Sequence, residues 1–356
     1  MYSRELLPPP EHLIHNGTPV FGTFEGHPEK LDIRGVRTPF GNINLPHVFT
    51  DIRIRSILSF SFEAGDYIGN IDFFDEKAFG FAELVLWNKE TGRKFSYNTF
   101  MGPRRRFIPH SLEKGFCSSF KKKRYIRISW NHALNRISLV FNMKGDSLRP
   151  DARGAFSGRF MNENTCEITS VIPHPVKRRC SATYTAVSDI KGSIFLGKTK
   201  FSDEVSPGEL SGTSILRINR SYYKFYNNRE SLAACGEVNG KKIGFILSQQ
   251  AEDAVETDTY NENILIVNGK CIPLPSVTIT HPMGITEKWV IQDTENMVDL
   301  TFTPKSDNFR ELSLFVMSSR IHTVYGVFEG SLRISDDECI GLDGFEGIAA
   351  NQLMRL

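Results

Sequence analysis

The sequence predicts an all-β protein whose sheets form barrels or sandwiches. Three observations indicate this class. Apolar and polar residues alternate in many short segments, Asn-Gly pairs separate several of these segments, and long stretches with helical periodicity are hard to find. The length of 356 residues fits either two domains or one large all-β unit.

The first half of the chain contains a series of strand–turn–strand patterns. Leu58, Phe60 and Phe62 alternate with polar residues, which is the period of a half-buried strand. Two hairpins are expected around turns at residues 88–92 and 131–135. Short strands joined by such turns favour a sandwich or an up-and-down barrel over β-α-β units.

The second half contains the strongest turn signals. Asn239-Gly240 and Asn268-Gly269 each lie between apolar segments. Asn-Gly favours a tight hairpin because both central turn positions require a positive φ angle. We therefore expect two hairpins here.

The last part of the chain and the domain boundary complete the prediction. Residues 298–304 and 312–335 alternate in the same way and supply the final strands, and residues 344–356 are predicted to form a short C-terminal helix. The composition changes after the basic segment PHPVKRRC. This change places an N-terminal β-barrel-like domain at residues 1–187 and a C-terminal one at residues 188–356.

The charge balance argues against binding through an overall electrostatic field. The formal net charge is +2, and the content of 40% hydrophobic and 24% charged residues is that of a soluble globular protein. The basic runs GPRRRF and FKKKRYIRI are interpreted as solvated loops, so no nucleic-acid partner is expected. No apolar segment is long enough for a membrane span or a signal peptide, which predicts a cytoplasmic protein.

No metal site and no cofactor are predicted. The six cysteines never form a C-x-x-C pair, and the nine histidines include no pair at i, i+4 spacing. The sequence also lacks a Gly-rich phosphate loop, a calcium-binding loop and a serine-hydrolase elbow. The expected partner is a small molecule, and the sequence leaves the oligomeric state open.

Three motifs follow one another in a fixed order in the second half. They are Asn261-Glu262-Asn263 with Gly269, Thr301-Phe302-Thr303-Pro304, and His322 with Gly326. In this order the sequence resembles a bacterial family, the domain of unknown function 2804 (DUF2804) family, over most of the chain. The resemblance implies two tandem lipocalin-like (calycin-type) β-barrel domains, as in the hydroxyneurosporene synthase and AttH-like group.

One segment departs from the family pattern. There the family carries R-G-x-W-P-Y followed by W-x-W-x-S-A-S-G, whereas this chain keeps Arg220, Tyr223 and Gly236. Arg229 and Ser231 stand where the resemblance implies two tryptophans. If those tryptophans line the family's pocket, this chain binds a different ligand or has lost the ancestral activity.

A polar segment, residues 257–263, precedes the apolar residues 264–267. This change predicts a strand that starts at an open barrel rim. In a regular strand, Asp258, Tyr260 and Glu262 would share one face.

The candidate catalytic residues are Glu262, His322 and Tyr325. A carboxylate, an imidazole and a phenol can divide general acid and general base roles, because burial and a neighbouring carboxylate shift their pKa values. The candidate ligand-binding residues are Arg220, Tyr223, Asp258, Tyr260, Asn263 and Trp289.

Three functional hypotheses follow. The leading one is the binding of a small apolar or mixed-polarity molecule in a barrel or between the barrels. The second is a non-redox acid–base enzyme of the hydratase, lyase or isomerase type, which requires Glu262 and His322 within about 6 Å, the reach of one bridging water. The third is an inactive structural or interaction protein descended from an active family, which the lost tryptophans favour.

Overall fold

A computed structural model describes most of the chain. The described residues are 2–41, 46–75, 77, 79–102, 107–160, 162–199, 204–205, 208–223, 226–251, 253–314 and 317–355. Most of the basic run GPRRRF, at residues 103–106, lies outside them. Among the described residues, helical structure never reaches the length and hydrophobicity of a membrane span.

Within the described ranges, the first sheet contains 13 strands. They are β1 (Leu6–Leu7), β4 (Gly22–Glu25), β5 (Ile54–Ala64), β6 (Tyr67–Asp75), β7 (Gly80–Asn88), β8 (Lys94–Met101), β9 (Lys114–Lys121), β10 (Arg124–Asn131), β11 (Arg136–Met143), β12 (Ala152–Gly158), β13 (Cys166–Pro173), β14 (Cys180–Leu196) and β15 (Leu210–Tyr222). A small hairpin, β2 (Ile14–His15) and β3 (Thr18–Pro19), and one short helix, α1 (His47–Asp51), lie outside the two large sheets.

The first sheet curls into a nearly closed barrel. Its main path runs β8-β7-β6-β5-β15-β14-β12-β11-β10-β9, with the outermost strands β8 and β9 adjacent across a seam. Arg124 and Arg149 donate to backbone carbonyls of β8, at Asn98 and Ser96, each over 2.9 Å. The curled sheet encloses a continuous apolar core that includes Phe60, Leu84, Trp130, Leu139 and Phe141.

The second sheet contains ten strands in the part of the chain that the structure describes, and it is also nearly closed. They are β16 (Tyr226–Val238), β17 (Lys241–Gln249), β18 (Ile264–Val267), β19 (Lys270–Pro273), β20 (Thr278–Thr280), β21 (Trp289–Gln292), β22 (Val298–Leu314), β23 (Met317–Arg333), β24 (Cys339–Gly341) and β25 (Phe345–Arg355). The last strand on the path, β20, returns to β17, where the Ile279 backbone N–H donates to the Gln249 side chain over 2.6 Å. Phe245, Trp289 and Phe302 belong to its apolar core.

The predicted fold class is confirmed: the protein is all-β, with two lipocalin-like barrels in tandem. The change of sheet comes later than the predicted boundary between residues 187 and 188, which lies inside β14. That strand continues to Leu196 and pairs with β12, β13 and β15 of the first sheet. The composition change around PHPVKRRC corresponds to the turn between β13 and β14.

The predicted C-terminal helix is wrong. Residues 345–355 form β25, which pairs with β16 on one side and β23 on the other. A strand in this central position satisfies its backbone groups along both edges and buries Ile348, Ala349 and Met354. This tertiary context outweighs the helix preference of the Ala-Ala-Asn-Gln-Leu-Met segment.

Two irregular segments cover one end of the first barrel. The backbone N–H of Leu31 donates to His110, and that of Leu112 donates to Glu29, each over 2.9 Å. The Tyr222 hydroxyl at the end of β15 donates to the Ile33 carbonyl over 2.9 Å. Segments 29–34 and 107–112 are thereby held over the barrel end where β5 begins and β6 and β15 end.

Candidate functional site

A pocket of about 380 Å³ lies at this covered end of the first barrel. We call it the Arg220 pocket. Among the described residues, the lining comprises Asp32, Ile33, Arg34, Asp51, Ile54, Asp75, Lys77, Ile108, His110 and Arg220. Three strand ends and the two covering segments therefore bring charged side chains together around a cavity.

Arg220 is the most deeply buried charged group of this pocket. It lies on β15, and only 1% of its surface is exposed. Its guanidinium donates to the Ser56 hydroxyl over 2.8 Å and to the carbonyls of Ile108 and Pro109 over 2.8 and 3.0 Å. All three acceptors are electrically neutral.

Among the described residues, none places a counter-charge in contact with the guanidinium of Arg220. No carboxylate of a described residue lies within 4.0 Å of its guanidinium, and its Nε has no hydrogen-bond partner. Burial lowers the pKa of Arg220 to about 10, and the nearby charges of Asp32 and Asp75 offset this only in part. A guanidinium at that pKa remains protonated at neutral pH.

The pKa values of three neighbouring groups are also shifted. Burial, followed by the charge of Arg220, lowers the pKa of His110 to about 4, so its imidazole is neutral at pH 7. Burial also lowers the pKa of Lys77, whose Nζ lies 3.9 Å from the Asp75 carboxylate. Asp32 is already held by Arg34, whose hydrogen bonds lower the pKa of this carboxyl to about 2 despite its burial.

Glu262, the first candidate catalytic residue, lies elsewhere and joins the two sheets. Its carboxylate pairs with Arg217 of β15 over 2.7 Å and with Arg229 of β16. Although burial alone would raise the pKa of Glu262, the two guanidinium groups hold it well below its usual range. Glu262 is therefore ionised, and its carboxylate is paired with two largely buried guanidinium groups.

The side chain of His322 lies on the face of the second sheet opposite to the one that Glu262 contacts. It pairs across the ladder with Asn351, and Asn351 pairs with Glu230, so these three side chains share one face. Arg229, next to Glu230, points to the opposite face, where it binds Glu262. The His322 Nδ1 is instead paired with Asp307 over 2.8 Å.

Tyr325 is placed on the face opposite His322 by the same alternation. It packs between the sheets with Trp87, at a ring distance of 6.1 Å, and its hydroxyl donates to Glu346. Among the described residues, no contact joins any two of Glu262, His322 and Tyr325. The catalytic role assigned to these three residues stays a prediction.

The remaining aromatic candidates lie in packed regions. Tyr223 is buried between the sheets in a cluster with Ile57, Phe74 and Ile321. Trp289 is buried in the second core, and its Nε1 donates to the Ile285 carbonyl over 2.8 Å. Of the predicted ligand-binding residues, only Arg220 lines the pocket at the barrel end.

The polar segment 257–263 is not a strand. It begins with a turn, in which the backbone N–H of Tyr260 donates to Glu256 over 2.8 Å, and β18 starts only at Ile264. Asp258 is exposed, and Tyr260 packs against Phe21 at a ring distance of 5.5 Å.

Asn263 is fully buried and structural in its contacts. Its side-chain amide donates to the Pro275 carbonyl over 2.8 Å, and its side-chain oxygen accepts from the Ser248 backbone over 2.7 Å. These bonds replace the backbone pairing that a regular strand would provide.

Arg229 and Ser231, which stand where the resemblance implies two tryptophans, line a small cavity between the sheets. Its volume is about 70 Å³, enough for about two water molecules. Asp72 of β6 lies in the same lining, where it accepts hydrogen bonds from Ser59 over 2.6 Å and Asn70 over 2.8 Å. This polar junction is too small for an organic ligand.

Asp72 gives the stability of the protein a specific pH dependence. Burial raises its pKa from 3.8 to about 6, although Ser59 and Arg310 partly oppose the shift. Stability from neutral Asp72 is complete only well below the unfolded pKa of 3.8 and is lost as pH rises through 6, because the unfolded carboxyl ionises first. Relative to the wild type, Asp72→Asn should gain about 2 kcal/mol in unfolding free energy between pH 4 and pH 7.

Urea unfolding of both proteins at four pH values between 4 and 7 measures this difference. The exposed Asp66→Asn provides a matched control, whose offset from the wild type should stay constant. A constant offset for Asp72→Asn as well would mean that Asp72 is ionised normally in the folded protein.

A larger open cleft, of about 1170 Å³, lies between the two sheets. Its charged groups are largely paired with each other. Lys89 pairs with Glu63 over 2.7 Å and with Glu346 over 3.7 Å, and Lys242 lies 3.7 Å from Asp189. These partly exposed pairs contrast with the buried Arg220, whose charge is not matched.

A family model described as domain of unknown function (DUF2804) matches residues 58–356. The chain belongs to the DUF2804 family. In this DUF2804 chain, half of the described lining residues of the pocket lie within the matched region, including Asp75, Lys77, His110 and Arg220, and the other half, including Asp32, precede it. No curated protein matches the sequence.

Solved structures of three distant proteins are similar to this DUF2804 chain. Kievitone hydratase from Nectria haematococca and CghA each have 10% identity and cover 85% of this chain and 88% of theirs, with TM-scores of 0.42 and 0.45. A protein assigned as AttH from Nitrosomonas europaea has 10% identity and a TM-score of 0.46, covering 88% of this chain and 97% of its own. At these values, their activities say nothing about the chemistry of this chain.

Sequence reasoning missed most residues of the Arg220 pocket. Asp32, Lys77 and His110 lie far apart in the sequence, and outside regular strands, where alternation gives no information. The retained arginine at position 220 was the one signal that the sequence carried.

Proposed function

We propose that this protein binds a small organic anion in the Arg220 pocket. The observation that carries the proposal is the buried guanidinium of Arg220, which contacts only neutral acceptors. Burying an unpaired charge costs several kcal/mol. A ligand that supplies the opposite charge offsets part of this cost and so stabilises the folded protein.

The lining suggests the chemical class of the ligand. Arg220, Lys77 and His110 offer donors for a carboxylate or phosphate, and Ile54 and Ile108 offer apolar contacts. The volume of about 380 Å³ is near the lower end of the range for small-molecule sites, about 300 to 1,000 Å³. A short, mixed-polarity acid is therefore the best match.

The acid–base alternative has less support. General acid–base catalysis by Glu262 and His322 requires the two groups to share a substrate within hydrogen-bond reach. They face opposite sides of the second sheet, and each is already paired with charged or polar neighbours. In an inactive structural protein, Arg220 would only tie residues 108 and 109 to β15 and would bind no anion.

Benzoate and its neutral analogue benzamide test the proposed charge recognition. Benzoate should stabilise the protein against thermal unfolding, by about 2.7 kcal/mol when its concentration is 100 times the dissociation constant. Benzamide has nearly the same shape without the charge and should give little stabilisation. Differential scanning calorimetry at fixed ionic strength measures both.

Phenyl phosphate extends the test from carboxylates to phosphates. A larger effect of phenyl phosphate than of benzoate would assign the ligand to the phosphate class. Equal stabilisation by benzamide and benzoate would contradict an anion site, because the pocket would then recognise only the ring.

A further inference from the structure

Two histidines and a glutamate meet at a second place on the first barrel. His27 follows β4, His132 follows β10, and Glu167 lies near the start of β13. Their potential ligand atoms all lie within 4.8 Å of one another, and within the described part of the chain no other such group of three occurs. Their side chains are 16%, 6% and 18% exposed, so the cluster is buried but reachable from solvent.

The local backbone fixes these positions. The Gly26 N–H donates to the Glu167 carbonyl over 2.7 Å, and the His132 N–H donates to the Glu113 carbonyl over 2.9 Å. The imidazoles of His27 and His132 stack at 3.9 Å, and Phe160 stacks on the other side of His132 at 4.1 Å. The ring orientations are therefore set by packing.

The distances are close to those of a coordination shell. The His27 Nδ1 lies 3.2 Å from one Glu167 oxygen, and the His132 Nε2 lies 2.6 Å from the other. Tetrahedral zinc with bonds of about 2.0 to 2.1 Å separates its ligand atoms by about 3.4 Å. The two nitrogen–oxygen distances differ from that spacing by less than 1 Å, and the two imidazole nitrogens lie no more than 4.8 Å apart.

The second nitrogen of each imidazole already has an acceptor. The His132 Nδ1 lies 3.4 Å from the Glu113 backbone carbonyl, and the His27 Nε2 lies 3.3 Å from the Glu113 carboxylate. Metal-bound histidines commonly donate their other N–H to a carbonyl or carboxylate, which orients the ring and raises its basicity. One residue, Glu113, serves both histidines here.

We propose that His27, His132 and Glu167 bind a divalent transition-metal ion of the zinc type. Two imidazoles and one carboxylate form a borderline donor set that prefers zinc to magnesium or calcium, which take mainly oxygen ligands. Tyr184, whose hydroxyl contacts both His132 and Glu167, stands beside the remaining coordination position. A water molecule bound there would have the tyrosine as a hydrogen-bond partner.

Zinc titration of the full chain, after removal of metals by chelation, tests this site. Isothermal titration calorimetry and elemental analysis should give one zinc per chain, and cobalt(II) should give the visible absorption bands of a low-coordinate site. Magnesium should not compete at millimolar concentration. A protein that binds no zinc, or that binds magnesium as tightly as zinc, would overturn the proposal.

Substitutions separate the site from adventitious binding by histidines. His132→Gln and Glu167→Gln should each weaken zinc binding at least about 100-fold, and Glu113→Gln should weaken it about 10- to 100-fold. A double variant of two histidines outside the cluster, His12→Ala with His15→Ala, should bind zinc like the wild type. An equal loss of zinc affinity in this control would overturn the assignment. Unfolding curves recorded without metal verify that each variant is folded.

Discussion

Replacing Arg220 with methionine should abolish anion binding. Methionine fills a similar volume but removes a buried charge whose acceptors, the Ser56 hydroxyl and two backbone carbonyls, are neutral. Losing a buried charge–charge contact with a ligand costs about 2 to 5 kcal/mol, which is at least about a 30-fold increase in Kd. Titration with benzoate measures the binding.

The stability of Arg220→Met is measured alongside, so that a loss of binding is not confused with unfolding. Methionine removes a costly unpaired charge but leaves the Ser56 hydroxyl and two backbone carbonyls without their donor, at about 1 to 3 kcal/mol for each buried acceptor. Arg153→Met, at an exposed position of β12, is the matched control for charge loss and should bind benzoate like the wild type. Undiminished benzoate binding by Arg220→Met would contradict the proposed function.

Glu262→Gln should lower the free energy of unfolding by about 3 to 5 kcal/mol. The carboxylate of Glu262 is 7% exposed and pairs with Arg217 of the first sheet and Arg229 of the second. Glutamine has the same shape but leaves two buried guanidinium groups without their counter-charge. Urea unfolding at pH 7 measures the loss.

The effect of Glu262→Gln should depend on pH in a defined direction. The folded-state pKa of Glu262 lies below its unfolded value, so the stability it contributes is present at neutral pH and declines in acid. The difference between wild type and variant should therefore shrink as the pH falls below about 4.5. The matched control is Glu287→Gln, at an exposed position. If Glu262→Gln lowers the free energy of unfolding by less than about 1 kcal/mol, the ion pairs of Glu262 do not stabilise the contact between the sheets.

The strands and hairpins could be predicted because their causes are local. Asn239-Gly240 and Asn268-Gly269 adopt positive φ angles of 50° and 74°, and of 47° and 77°, as the hairpin prediction requires. Alternation at Leu58, Phe60 and Phe62 likewise places these side chains in the first barrel's core. Such patterns depend only on neighbours in the sequence.

The failures concern features that only tertiary structure decides. Residues 345–355 resemble a helix locally but gain pairing on both edges as a strand. Glu262 belongs to a polar segment whose sequence resembles a barrel rim, yet arginines from two sheets determine the ionisation state of its carboxylate. Local patterns cannot reveal partners that lie far away in the sequence.

The two proposed binding sites were invisible for the same reason. The Arg220 pocket combines three strand ends with two covering segments, and the histidine–glutamate cluster joins three strands of the first barrel. Neither has a compact motif. Only Arg220 could be selected in advance, because it matched an arginine of the family pattern.

The location of a bound anion tests the central claim most directly. Crystals soaked with 4-iodobenzoate would show the iodine by its anomalous scattering, and the carboxylate can then be placed in the electron density. We predict that the ligand occupies the Arg220 pocket, with its carboxylate within hydrogen-bond distance of Arg220, and that Arg220→Met crystals show no signal there. An iodine site in the cleft between the sheets, or beside Trp289 in the second barrel, with the Arg220 pocket empty, would contradict the account.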